Sequence, residues 1–271
     1  MRKPALVLLA ALCAHAQWLD YRDPKTPRTK DGKPNLTASA PRLNGKPDLS
    51  GLWEIDQTPF SELRKVLPPE FFELQIDLGT ASAKYMINLL WDFKPQDDPS
   101  RPEALALVKE NQERGYLPAS RCLPNSVPLT LMILPVKIIQ TPQQIIELFE
   151  HYDPPRQIFT DGRTLPKDPE PSWMGYSAGK WQSDTLVVES AGFNGKTWLD
   201  ATGHPRSESA RMIERYRRSD FGHMEIEVTI DDPKYYKRPF TVKLPYHLIP
   251  DSDVLEAVCA ENEKDRIHVP N

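Results

Sequence analysis

From residue 136 onward the chain alternates apolar and polar positions with a period of two, the pattern of strands with one buried face. VKIIQT, QQIIELFEHY, RQIFTDG, GYSAGKWQSDTLVVESAGF, ARMIERYRRS, HMEIEVTID and FTVKLPYHLI are rich in Ile, Val, Phe, Tyr and Thr, and turn residues part them. GKWQS (179–183) reads as a turn that folds the following strand back on its predecessor. With LSGLWEI upstream, the pattern predicts a mainly β chain of about eight largely antiparallel strands. Such a set makes a closed β-barrel, with a β-sandwich as the alternative. SESARMIERYRR (207–218) is ambiguous, since Ser207 as a cap and good helix formers suit a helix as well as a strand.

Upstream the pattern changes. SRPEALALVKENQERG (100–115) predicts a helix with Ser100 as N-cap, Pro102 and Glu103 in its first turn and Gly115 at its end. Residues 79–93 read as a further helix, so a helical insertion is expected at 57–118 of a single barrel domain spanning 48–271. Residues 17–47 lack alternation and read as an extended arm. In and beside it, DGKPNLT (31–37) and NGKPDLS (44–50) each read as a turn leading to a leucine that docks.

Composition changes this picture in three ways. Proline, at 28 of 271 residues, favours short elements joined by stiff loops. MRKPALVLLAALCAHA (1–16) has the basic start, short apolar stretch and A-x-A end of a signal peptide, so a secreted or periplasmic protein is expected. Without that segment 32 basic side chains face 38 acidic ones, a net charge of −6, which argues against a general nucleic-acid binder. No later stretch is long and apolar enough for an integral membrane segment. In an oxidising compartment the two remaining cysteines, Cys122 and Cys259, are expected to pair rather than stay as buried thiols.

Candidate chemistry concentrates in TWLDATGHPRSE (197–208), a long connection between strands. Trp198 offers an aromatic wall, and Asp200 is placed to orient His204 as a general base near neutral pH. The competing reading is a helix start with Ser207 as cap and Glu208 complementing the dipole. Along 223–231, His223 and Glu225 share a face with Glu227 and Thr229. They line a lumen if that face points inward and are solvated if Met224, Ile226, Val228 and Ile230 do. Tyr152, Arg156, Asp161 and Arg163 surround one hairpin, where the arginines either grip an anionic or hydroxyl-rich ligand or pair with Asp153 and Asp161. The expected site is therefore His204, Asp200, His223 and Glu225 for acid–base chemistry, with Arg156, Tyr152, Trp198 and Arg211 binding a small amphipathic molecule. No metal or cofactor motif occurs.

Two resemblances add to this. Gly51-Leu52-Trp53 resembles the G-x-W of the first strand in calycin barrels (lipocalin-like proteins), where the tryptophan closes one end. Over roughly 45–265 the chain resembles a family of secreted proteins from soil bacteria. The shared motifs are PDLSG followed by tryptophan, TDGR, GYSAGKW, GHP-x-SE and the cysteine segments around Cys122 and Cys259. Members read GHPHSE where this chain has Arg206, so any chemistry of that second histidine does not carry over. The resemblance implies no activity. The functional expectation is an exported small-molecule enzyme, a hydrolase, lyase or isomerase using histidine and carboxylate chemistry. The alternative is a non-catalytic periplasmic or extracellular ligand-binding barrel.

Overall fold

The computed structural model describes residues 21–65, 67, 83–114 and 118–259. The expected signal peptide, residues 17–20 of the arm and residues 79–82 of the second expected helix lie outside them.

The strands are β1 (Arg42–Leu43), β2 (Lys46–Pro47), β3 (Gly51–Ile55), β4 (Val136–Gln140), β5 (Gln144–Phe149), β6 (Arg156–Phe159), β7 (Tyr176–Gln182), β8 (Thr185–Ala191), β9 (Arg211–Arg218), β10 (His223–Asp231) and β11 (Phe240–Leu248). β1 and β2 form a small hairpin in the arm, and β3 to β11 close a barrel in chain order, with β11 pairing back on β3. The barrel has nine strands rather than about eight, and the count has a consequence. Alternating directions close on themselves only for an even number, so one neighbouring pair must run parallel. That pair is β6 and β7, joined only at Ile158↔Ser177 and Phe159↔Ala178, whereas β7 and β8 pair at seven positions.

Residues 207–218 do not start a helix: β9 begins at Arg211, and pairing on both sides with β8 and β10 overrides local helix propensity. In β10 the apolar set Met224, Ile226, Val228 and Ile230 is buried and His223 is exposed. The helical insertion lies between β3 and β4 and contains α1 (Phe60–Leu63), α2 (Lys84–Ile87) and α3 (Pro102–Arg114). In α3, Ala104 and Asn111 are buried and Leu105 is exposed, so the inward face is narrower than the apolar stripe suggests. Ser100 does not cap α3: its backbone bridges to Tyr236 and its hydroxyl has no partner among the described residues.

The two ends of the barrel differ. At one, the Trp53 indole donates to Leu49 O at 2.9 Å and the Arg218 guanidinium lies 4.8 Å from its ring. Arg218 also donates to the carbonyls of Asp48, Ser50, Asp220 and Phe221, which closes that end with backbone acceptors. Gly51 is required there, because at φ 151° an added Cβ would lie 2.4 Å from Leu248 Cδ1. The arm packs at the same end. Leu36 O accepts from Gly222 N at 2.7 Å, and a Cβ on Gly222 would meet Leu36 Cβ at 2.4 Å. Leu49 is fully buried, and Leu36 packs against the core.

The opposite end, here the mouth, collects the β5–β6, β8–β9 and β10–β11 connections. The segment carrying Val127, Leu129, Leu131 and Met132 is buried there as a plug. Cys122 and Cys259 form a disulfide, consistent with an oxidising compartment. Among the described residues no helix is long and apolar enough to cross a membrane.

Candidate functional site

The β8–β9 connection folds over the mouth as a miniature hairpin, with Trp198 bridging Pro205 and Leu199 N donating to His204 O at 2.8 Å. Asp200 organises it from within. Its fully buried carboxylate accepts from Leu89 N at 2.6 Å, Gly203 N at 3.0 Å and His204 N at 3.2 Å. The same carboxylate lies 2.6 Å from His204 Nδ1. The His204 side chain keeps 7% exposure, and its Nε2 makes no hydrogen bond among the described residues. Burial works against the charged imidazole. The charge and hydrogen bond of Asp200, helped by Asp98, outweigh it and raise the pKa above 6.5. Holding Nδ1 as the donor leaves Nε2 as the proton-exchanging atom.

The other expected acid–base residues are elsewhere. His223 is at the closed end, on the outer face, with its side chain 48% exposed and Nδ1 2.8 Å from Asp220. Glu225 is also on the outer face of β10, 3.6 Å from Lys243. The apolar face of β10 won the interior, and both residues lie toward the end opposite the mouth, so these two do not join His204.

Arg156 is not a rim residue. The two-residue period that buries Ile158 also turns Arg156 inward, where it is 1% exposed. Its guanidinium donates to Glu147 Oε2 at 3.1 Å, Glu214 Oε1 at 2.9 Å, Ser177 Oγ at 3.2 Å and Ser190 Oγ at 2.9 Å, with a further bond to Glu214 Oε2. The Tyr216 hydroxyl donates to Glu147 Oε1 at 2.7 Å. This polar sector spans β5 to β9 inside an otherwise apolar barrel. Burial, reinforced by Glu214, pushes the Glu147 carboxyl upward despite Arg156. The sector is satisfied internally and leaves no arginine edge for a ligand.

Tyr152 donates to Ala119 O at 2.5 Å, Trp198 is half-buried, and Arg211 is exposed at the start of β9. Arg163 pairs with Asp161 at the surface and stacks on Phe159 at 3.9 Å. Sequence reasoning missed a second histidine–aspartate pair at the mouth, His151 Nδ1 to Asp153 Oδ2 at 2.8 Å. Asp153 also accepts from Asn125 N at 2.6 Å and Thr130 Oγ1 at 2.5 Å. Burial raises its pKa, but these bonds and His151 outweigh burial and lower it. The signal in the sequence was the His-x-Asp spacing ahead of Pro154-Pro155.

Where β6 and β7 diverge toward the mouth, a surface cleft of about 420 Å³ opens, walled by Pro154, Pro155, Phe159, Trp173, Met174 and Tyr176. A more polar cavity of about 520 Å³ lies at the closed end, between the arm and the barrel, with Asp23, Lys25, Asp48 and Arg218 in its walls. Among the described residues, no group of three or more His, Cys, Asp or Glu side chains is placed to hold a metal ion. Comparison with protein-family models, curated proteins and solved structures finds no match to this chain.

Proposed function

We propose that this protein is an exported enzyme that acts on a small amphipathic molecule by acid–base chemistry at the mouth of the barrel. His204 transfers the proton through Nε2, and Asp200 positions it. The observation that carries this reading is the buried 2.6 Å contact between His204 Nδ1 and Asp200 Oδ2, with Nε2 without a partner among the described residues. Asp200 raises the His204 pKa against the effect of burial, which favours proton uptake by the imidazole, the first half of taking and returning a proton. Hydrolysis, elimination and isomerisation all need that step. Export is supported by the leader-like first residues and the disulfide.

Reaction of the native protein with diethyl pyrocarbonate, mapped by mass spectrometry, tests the reading without knowing the substrate. Exposed His223 and His247 serve as internal controls. His204 is expected to react, at a rate that titrates above pH 6.5. In a screen of esters, lactones and enolisable ketones, His204→Gln is expected to lose about 100-fold or more of any turnover found, the scale of a general acid–base contribution. If His204 stays inert while the controls react, Nε2 is closed to small molecules and the reading fails.

The cleft favours a second reading, a non-catalytic ligand-binding barrel. Its volume and aromatic walls suit a small, largely apolar ligand. Binding of aryl probes lost in Trp173→Ala, with no turnover in the screen, would select it.

A further inference from the structure

Two residues beyond His204, Arg206 is 3% exposed and has no carboxylate in contact among the described residues. Its fork donates to Val127 O, to Ser126 Oγ at 3.0 Å and to Thr197 Oγ1 at 2.7 Å, all neutral oxygens. Nε is buried with no acceptor among the described residues. The Phe193 ring lies against the guanidinium at 4.0 Å. The nearby carboxylate, Asp232, is engaged by Ser207 N and Ser207 Oγ, each at 2.7 Å, and the charge of Arg156 acts against Arg206. The Arg156 guanidinium, by contrast, is held between two glutamates.

An arginine stays charged inside a protein, and a buried charge without a counter-charge is costly. An unsatisfied N–H on that group adds to the cost. Thr197 is also buried, and its hydroxyl accepts from Arg206 without donating to any described residue. A fixed cation, a free N–H and an uncommitted hydroxyl proton are the parts of an oxyanion receptor.

We propose that Arg206 and Thr197 form a binding site for one small oxyanion, such as a carboxylate, held on Arg206 Nε–H and the Thr197 hydroxyl. The aromatic cleft lies close by, since Ser126, which accepts from Arg206, donates to the carbonyl of Trp173 in the cleft wall. This deepens the reading above by making the substrate acidic, and it rests on that reading only for what becomes of the bound anion.

Isothermal titration of the disulfide-bonded chain with sodium acetate and, separately, sodium phosphate tests it, at pH 7 and constant ionic strength in a bulky sulfonate buffer. One saturable site is expected, at least tenfold weaker in Arg206→Met and about fivefold weaker in Thr197→Val, which leaves the fork's other bonds in place. Acetate alone binding assigns a carboxylate, and phosphate alone a phosphate. Saturable binding of neither, or binding unchanged in both variants, overturns the proposal. His204→Gln separates the two ideas: anion affinity as in wild type, with no turnover lost, sinks the catalytic reading and leaves the anion site standing.

Discussion

Replacing Arg156 with methionine removes the one cation inside the barrel's polar sector and keeps a side chain of comparable length. Glu147 and Glu214, both fully buried, would then face each other with only the Tyr216 and serine hydroxyls for support. Breaking a buried ion pair from one side costs about 3–5 kcal/mol, because the remaining charge is stranded. For a domain of this size each kcal/mol moves the melting temperature by about 2–4 °C, so a fall of roughly 6–20 °C is expected at pH 7. Thermal melts followed by circular dichroism under non-reducing conditions measure it. The loss should shrink as the pH falls, because the Glu147 carboxyl, already pushed upward by burial, takes up a proton and ceases to be a stranded charge. Arg156→Met with Glu214→Gln should melt above Arg156→Met alone. A cost under about 1 kcal/mol at pH 7, or one indifferent to pH, would mean that the cluster carries no net charge coupling and that the reasoning is wrong.

Other outcomes follow from single features. Glu147 has a raised pKa in the folded state, so its contribution to stability is full below about pH 4.5 and is lost as pH rises through the folded value. Glu147→Gln, which cannot ionise, should therefore gain on wild type in urea titrations as pH increases. Asp200→Asn removes the main influence raising the His204 pKa and leaves burial, so the imidazole should titrate below 6.5 by NMR instead of above it. His204 itself, raised by Asp200, stabilises the fold fully below about pH 6.5 and loses that contribution as pH climbs through its folded pKa. Reducing the Cys122–Cys259 bond, which spans 137 positions, should cost about 5 kcal/mol by loop entropy, read as a lower melting temperature in reductant. Gly222→Ala forces the arm off its contact with Leu36. It should cost about 1–3 kcal/mol and expose residues 21–47 to limited proteolysis, and an unchanged digest would count against the packing argument.

The barrel was legible because β10 and β11 keep strict alternation and because Gly51-Leu52-Trp53 marks a strand that must approach its neighbour closely. The polar sector was not. Glu147, Arg156 and Glu214 occupy inward positions by period, yet a charged residue in a strand reads as solvent-facing until its partners from other strands are known. Arg156 finds Glu214 across 58 positions, a contact that no local pattern encodes. The 207–218 segment stayed ambiguous for a related reason, since Glu, Arg and Met suit a helix as well as a strand until two flanking strands claim their backbone. The His204–Asp200 pair was readable because both residues sit close together in one long loop. Its enclosure was not, since that depends on Leu89 arriving from the helical insertion. The split between His204 and His223 followed from two things that local pattern does not encode, the inward face of β10 and the end of the barrel at which each histidine lies.

The short parallel junction between β6 and β7 gives the polar sector a mechanical meaning. A closed ring is only as strong around its circumference as its weakest join, and two paired positions are little backbone to hold one. Arg156, at the start of β6, reaches across that join to Ser177 on β7, and onward to Ser190 on β8 and Glu214 on β9, while Glu147 holds it from β5. Five consecutive staves are thus tied by side chains where the ladder is thin. The charge cluster acts as a hoop around the thin join.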